Sequence, residues 1–522
     1  MRREELIPSL RGGPPRDVLV IGGGATGLGC AVDAASRGYD TLLLEQGDFG
    51  HGTSSRSTKL IHGGVRYLRQ GHIRLVKEAL RERGLLLRNA PHAVRRQPFL
   101  IPLYARWEGP FYAMGLSLYD RLAGPWALGR TLRLSRRETM GLVPTLEPRG
   151  LRGGVLYEDA QFDDARLAIL LARTLADLGG VPLNYVRVTG FLKASGRICG
   201  VRAEDRESRE AFEILARVVV NAAGVQADAV SSLDDLDAVQ RIAPSRGSHV
   251  VLPASFLNSP AALLVPRTDD GRVIFAIPWM GRVLVGTTDV AVESDFEEPR
   301  ATETEIDLLL EHAGRYLTSK PRRDDVLSAF AGLRPLVRRG ARRTSALSRD
   351  HVVNVSASGL VSVLGGKWTT YRRMGRDAVE TAAASAKLAA APSRTESLRL
   401  HGFSEGDGGR HGSGDWHGTG DRYGSDAALV DNLIASTDGA ARPLHPLLPY
   451  REGDVLWAAR YEMARTVEDV LARRTRALFL DAAASLACAP RVAEILASEL
   501  RTDAAWAEGE VKRYADVARS HT

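Results

Sequence analysis

A chain of 522 residues with 44% hydrophobic side chains is long enough for two or three domains and has the apolar content of an ordinary packed core. Its 70 basic and 63 acidic side chains leave a net charge of +7. That suits an anionic ligand or an acidic lipid surface, but no block of lysines and arginines with interleaved aromatics marks nucleic-acid binding. Cys30, Cys199 and Cys488 are far apart and form no Cys-x-x-Cys, so no disulfide framework or zinc site is expected, no metal is assigned, and a reducing cytosol fits.

Residues 1–16 are polar and lack the apolar stretch of a signal peptide, so they read as a tail. No run of about 18 apolar residues suggests a membrane-spanning helix. Residues 18–21 read as a buried parallel strand. They lead into Gly22, Gly24 and Gly27 at G-x-G-x-x-G spacing. Gly22 permits the tight turn, Gly24 lets a pyrophosphate approach the backbone, and Gly27 lets helix pack on strand. The helix that starts at Ala25 and Thr26 points its free N–H groups at that pyrophosphate and ends at Arg37-Gly38. A second strand ends at Glu45, about 20 residues on, where a carboxylate binds a ribose hydroxyl. Glu45 accepts a bare 2′-hydroxyl better than a phosphate, which favours FAD or NAD over NADP. The competing reading is a glycine-rich turn with no ligand.

Residues 48–68 are small, hydroxylated and basic, with neither helical nor strand period. They make a poor core and a good lining for a phosphate-rich ligand. The run from Gly52 to Leu68, with the glycine fingerprint before it, resembles the FAD-dependent glycerol-3-phosphate dehydrogenases, respiratory flavoenzymes that pass electrons to quinone.

Residues 73–88 read as an amphipathic surface helix. Residues 98–128 gather Phe99, Tyr104, Trp107, Phe111, Tyr112, Tyr119 and Trp126. Two readings stand side by side: a membrane-surface patch of the monotopic kind, and an aromatic subdomain core. Asp163 or Asp164 caps a helix over 167–178, and Asp-Asp-Ala-Arg-Leu adds to the family match. Strand-like runs follow at 183–188 and 218–220, the second leading into Ala223 and Gly224 beside the adenosine half of FAD. The family usually places tryptophan two residues after this glycine, where the chain has Gln226. Strands at 244–253 and within 272–289 suggest a mixed or antiparallel sheet roofing the flavin. A strand at 360–364 precedes Gly365-Gly366-Lys367 and a helix reaching about residue 391, whose N-terminus sits against the flavin N1–C2 edge. Residues 401–426, rich in Gly, Asp, Ser and His, read as a flexible linker. From 455 the chain is helical, with a capping box at Thr466–Asp469 and Pro490 suited to a helix N1 position.

The resemblance implies an α/β fold: a Rossmann-like FAD-binding domain of the two-dinucleotide-binding-domain or D-amino-acid-oxidase type, a mixed-sheet substrate domain and a C-terminal α-helical domain. The expected division is a tail (1–16), an oxidoreductase unit (17–400) with its FAD-binding part from 17–90, 150–230 and 330–395 and capping segments near 91–149 and 231–329, the linker (401–426), and the helical domain (427–522).

It implies oxidation of sn-glycerol 3-phosphate to dihydroxyacetone phosphate. The substrate dianion needs fixed cations, assigned to Arg334 and Arg349. Arg66 and Lys367 stand close and stabilise the developing alkoxide, Tyr67 shapes the pocket, and His249 is the base. An isolated strand histidine is more often structural, but the Gly-Ser-His match raises the functional reading. Arg338, Arg339, Arg342 and Arg343 are taken as solvated. FAD is assigned to Gly22, Gly24, Ala25, Thr26, Gly27, Glu45, Thr53, Ser54, Ser55, Lys59, Leu60, His62, Gly63, Gly64, Ala223, Gly224, Gly366, Lys367, Thr369 and Thr370. Electrons go to a membrane quinone, which places the chain on the cytoplasmic face of the inner membrane as a peripheral protein. The alternatives are an oxidase using oxygen, an amine or amino-acid oxidoreductase, and a non-catalytic FAD-binding protein. A homodimer is compatible with the sequence, which leaves oligomeric state open.

Overall fold

Leu19 and Val20 are fully buried because their strand, Arg16–Ile21, runs parallel between Ala211–Asn221 and Thr41–Leu44. Side chains covered on both faces must be apolar, as in other parallel sheets. A computed structural model describes residues 1–265, 273–293, 298–338, 351–405 and 419–522. Among them one sheet has the order His351–Val355, Val361–Gly365, Ala211–Asn221, Arg16–Ile21, Thr41–Leu44, Val181–Leu183. The hairpin Val186–Ala194 and Arg197–Asp205 extends it from Ala211–Asn221. The helices Ala25–Ser36, Asp164–Asp177 and Tyr371–Ala386 bury their apolar sides in the same core. This is the Rossmann-like arrangement, with both nucleotide turns at the carboxyl ends of parallel strands.

The second sheet is mixed. Ile242–Pro253 pairs antiparallel with both Arg282–Gly286 and Ser328–Val337. The order continues through Ile274–Trp279, Ala262–Val265, Val94–Leu103 and Gly153–Phe162 to Leu60–Ile61. One face of this sheet shares a core with Glu303–Gly314. The C-terminal helices, including Ala482–Leu500, join a different core with Phe99, Trp279 and Phe330 of the same sheet.

Several expectations are corrected by long-range packing. The first 16 residues are no free tail: Arg3 is buried and donates to both carboxylate oxygens of Asp205. The run at 183–188 is two strands, broken by Tyr185 at φ +56°. The helix expected to reach residue 391 closes at Ala386 on left-handed Lys387, and the following backbone straps over the first helix, Ala391 accepting from Arg37. Residues 401–426 are not all linker. Thr419–Tyr423 is helical, Tyr423 is buried and donates to Asp454 at 3.1 Å, and His401 bridges Asp177 and Asp426. Pro490 lies inside Ala482–Leu500 instead of at its start. Burial of Cys488, Ala489, Val492, Ala493 and Leu496 along that face holds the helix through the lost N–H. The Thr466–Asp469 box forms as expected, each residue bonding the other's backbone N–H.

Candidate active site

Two strand-to-helix turns face each other where the parallel strands end. Gly22 stands at φ +109°, and a Cβ there would sit 2.7 Å from the carbonyl oxygen of Ala222. A Cβ on Gly27 would sit 1.8 Å from the Gly22 carbonyl oxygen, so Gly27 permits helix against strand and does not itself line the cleft. Glu45 accepts backbone N–H groups from Gly23 at 2.6 Å and Gly47 at 2.7 Å, while burial pushes its carboxyl up. Ser54 Oγ accepts from Ala25 N at 2.9 Å and so ties the hydroxylated loop to the helix N-terminus.

A cleft runs from these turns to the second sheet. Gly22, Gly24, Ala25, Thr26, Glu45, Ala223 and Gly224 line one end, and Thr53 and Ser54 line its middle. Leu60, His62, Tyr67, Gly366, Lys367 and Thr369 line the other end with His249 and Arg334. The residues fit FAD. The glycine-lined turns would accept a pyrophosphate, the half-buried Glu45 carboxyl would meet a ribose, and Gly365 and Gly366, at φ +76° and +87°, would leave room for a planar ring.

His249 lies on Ile242–Pro253 between Gly286 and Phe330 of the neighbouring strands. Its ring stacks on Phe330 with centroids 4.9 Å apart. A Cβ on Gly286 would fall 2.2 Å from the ring, so that glycine makes the room. Thr58 Oγ1 and His249 Nε2 share a hydrogen bond of 3.0 Å. Burial, then the charges of Lys59 and Arg334, push the imidazole well below its ordinary pKa and keep it neutral. Arg334 donates from Nη2 to Thr287 Oγ1 at 3.0 Å and to the Thr288 carbonyl at 3.1 Å, and Nη1 lies 3.6 Å from the Asp289 carboxylate. Lys367 Nζ stands 5.4 Å from the centre of the Tyr67 ring.

A second cavity, of about 620 Å³, joins this end. It shares Thr58, Leu60, His62, Tyr67 and Arg334 with the cleft and continues past Phe99, Tyr157 and Phe275 to Phe111 and Met114.

Not every expected residue faces the cleft. Lys59 is fully buried, donates to Asp164 at 2.7 Å and to the Ser55 carbonyl at 2.8 Å, and is ringed by Trp279, Phe330 and Phe479. Burial lowers its pKa to about 7, while the Asp164 carboxylate opposes that shift. Ser55 is buried beside it, its carbonyl also accepting from Arg476. Gly63 donates to the Tyr119 hydroxyl, Gly64 lines the apolar cavity, and Thr370 is buried with its hydroxyl on the Lys367 carbonyl. Arg66 is on the helix Val65–Arg69, its side chain outside the described residues, as is the whole of Arg349. Of the cluster taken as solvated, Arg338 is exposed and donates to the Ile242 carbonyl; the others lie outside the described residues.

Thr58, His51, Gln46 and the strand edge at Val186 and Val188 line the cleft without having been singled out. Thr58 and His51 stood inside a run already read as a ligand lining. Val186 and Val188 carried no local signal, because only sheet order brings their strand to the nucleotide end.

Residues 17–372 match the family described as FAD dependent oxidoreductase, and residues 417–507 match the C-terminal domain of alpha-glycerophosphate oxidase. The chain is 39% identical to the mitochondrial glycerol-3-phosphate dehydrogenase of Mus musculus, over 97% of this chain and 73% of that protein. It is also 39% identical to a mitochondrial glycerol-3-phosphate dehydrogenase of Arabidopsis thaliana, over 98% and 87%. The solved glycerol-3-phosphate dehydrogenase of Bacillus halodurans, complexed with FAD, is 30% identical with a TM-score of 0.78, covering 99% of this chain and 96% of that one. L-alpha-glycerophosphate oxidase of Mycoplasma pneumoniae, 21% identical with a TM-score of 0.55 over 71% of this chain and 95% of that one, shares the fold. Likeness across nearly the whole length, in sequence and in domain order, makes this chain a member of the FAD-dependent glycerol-3-phosphate dehydrogenase family, with FAD as its cofactor.

Proposed function

We propose that the chain oxidises sn-glycerol 3-phosphate to dihydroxyacetone phosphate and passes the electrons to a membrane quinone. The observation that carries the reading is the convergence of Arg334 and neutral His249 at the end of the FAD cleft where a second, apolar cavity opens. Bound FAD supplies a two-electron acceptor for the C2 hydride. The protein's share is to hold and deprotonate the substrate. The Arg334 fork meets phosphate oxygens, with Thr287 and Thr288 fixing its plane. Lys367 stands where it stabilises an alkoxide, and Tyr67 walls the pocket beside it. Arg66 and Arg349 are proposed to add charge at the same end, on the family resemblance. His249 is the base for loss of the C2 hydroxyl proton. Along the cleft, FAD is assigned to the two glycine turns, Glu45, Thr53, Ser54 and the 366–369 turn. The domain division given above follows from the same reading, with residues 1–16 and 419–426 counted as packed segments.

The quinone assignment rests on the apolar cavity and on where it emerges. Trp107, Phe111, Met114 and Leu118 recur at helical spacing and are all exposed, and the last three line the cavity. Exposed apolar stripes of this kind mark protein or membrane contact. Among the described residues no helix is long and apolar enough to cross a membrane. The stripe would therefore lie in one leaflet, the cytoplasmic one on this reading, and admit a lipid-soluble acceptor from below. Oxygen is the second reading, favoured by the oxidase named in the match to residues 417–507; a small gas needs no such cavity.

Anaerobic mixing with glycerol 3-phosphate tests the substrate: the flavin should bleach, and should not with glycerol or an amino acid. A flavin that stays oxidised overturns the assignment. Reoxidation of the bleached protein by a short-chain quinone faster than by oxygen would support the acceptor, and the reverse order would move the chain to the oxidases.

A further inference from the structure

His249 is 2% exposed, and its Nδ1 is buried with no hydrogen-bond partner among the described residues. A proton therefore reaches the ring through Nε2. Nε2 in turn is occupied by the Thr58 hydroxyl, 3.0 Å away. Thr58 lines both the cofactor cleft and the apolar cavity, and Arg334 also lines both; His249 lines only the cleft. A substrate whose phosphate sits on Arg334 thus meets the hydroxyl of Thr58 at the junction, with the imidazole behind it.

The hydroxyl is held in place from both sides. Ser57, before it, donates its backbone N–H and its Oγ to Asp164 at 2.9 and 2.7 Å. Lys59, after it, donates Nζ to the same Asp164 oxygen at 2.7 Å and its backbone N–H to Ser57 Oγ at 3.0 Å. Lys59 takes φ +63°, in the left-handed region, and its ammonium group faces the Phe330 ring on which His249 stacks. One carboxylate thereby anchors both neighbours of Thr58, while Phe330 sets the plane of the imidazole.

We propose that Thr58 is a proton relay: its hydroxyl accepts the proton of the substrate C2 hydroxyl while passing its own to Nε2 of His249. Lys59 and Asp164 are positioning residues for that transfer. The step balances. The alcohol loses one proton and one hydride, the hydride goes to the oxidised FAD that the family's chemistry supplies, and the imidazole becomes imidazolium. Threonine ends as it began, with the substrate's proton in place of its own.

The inference rests on the proposed substrate, so the wild type is measured first. Stopped-flow flavin reduction is then compared for wild type, Thr58→Val and Thr58→Ser as holoproteins, each checked for bound FAD. Valine keeps the shape and removes the hydroxyl. T58V should reduce its flavin about 100-fold more slowly with substrate affinity within about threefold of wild type, and T58S should recover to within about fivefold, in line with the usual weight of positioned proton transfer. A readout without turnover is 15N-histidine NMR of the substrate-free protein: the His249 Nε2 resonance should move in T58V and stay in T58S. T58V reducing at the wild-type rate, or T58S as slow as T58V, overturns the relay while leaving the substrate assignment intact. A wild type that glycerol 3-phosphate does not reduce overturns both. Should T58V lose FAD, a proton inventory on the wild type decides: two protons in flight curve the plot, and a straight line refutes the relay.

Discussion

Arg474 grips both carboxylate oxygens of Asp48, Nη1 at 2.5 Å and Nη2 at 2.8 Å, across 426 positions of chain. Asp48 follows Glu45 in the loop that lines the cleft, and Arg473 adds a bond to it at 2.6 Å. Both arginines are buried in the turn Asp469–Arg474 of the C-terminal helical domain. The distant domain thus holds the loop that follows Glu45.

Removing one partner of a buried pair costs about 3–5 kcal/mol when it strands the other charge, and less here because Arg473 still holds Asp48. Arg474→Met should lower the melting temperature by several degrees and raise the dissociation constant for FAD, read by flavin fluorescence on dilution. A variant that melts and holds FAD like the wild type would show the clamp to be idle.

Glu468 belongs to the same junction. Burial opposes its ionisation, but the charges of Arg473 and then His51 outweigh that and hold its pKa near 2, below the ordinary 4.5. A depressed carboxyl contributes stability above its unfolded pKa and loses it as pH falls through the folded one. The window is therefore about pH 4.5 down to 2, and the full effect is of order 3 kcal/mol. Glu468→Gln should be destabilised at pH 7, with the gap in urea midpoint narrowing steadily below pH 4.5. A gap independent of pH would assign the loss to packing.

Gly247 lies beside the Arg334 guanidinium, and a Cβ there would sit 2.3 Å from Nη2. Gly247→Ala should push the fork off Thr287 and Thr288. The Michaelis constant for glycerol 3-phosphate should rise about 10-fold to 100-fold, as for loss of a charged hydrogen bond, with FAD content unchanged. An unaltered constant would separate Arg334 from the phosphate.

Phe111, Met114 and Leu118 carry the proposed membrane contact. The triple serine variant should stop floating with liposomes containing acidic lipid, yet its flavin should still bleach with substrate in solution. Flotation equal to wild type would move the contact elsewhere on the surface.

The aromatic segment at 98–128 divides between core and surface. Phe99 and Tyr119 are buried in the core, whereas Phe111 and Met114 on the intervening helix face outward. Composition cannot separate them, because the division is made by which side of Glu108–Ala123 meets the sheet.

The sequence by itself determined the first nucleotide turn, the helix behind it, Glu45 and the glycine turn at Gly366, while His249 and Arg334 became candidates through the family resemblance. Those features are local: a tight turn demands glycine, and a double-covered strand demands apolar side chains. Only the tertiary structure decided what lies behind them. Lys59 left the cofactor for Asp164, 105 residues on, because the strand Leu60–Ile61 registers against Gly153–Phe162. Thr58 met His249 across 191 residues, Arg3 met Asp205, and Arg474 met Asp48. Such partners are chosen by sheet order and by burial of charge, which no window of sequence contains, since a buried ion has to find its counter-ion wherever the fold brings one.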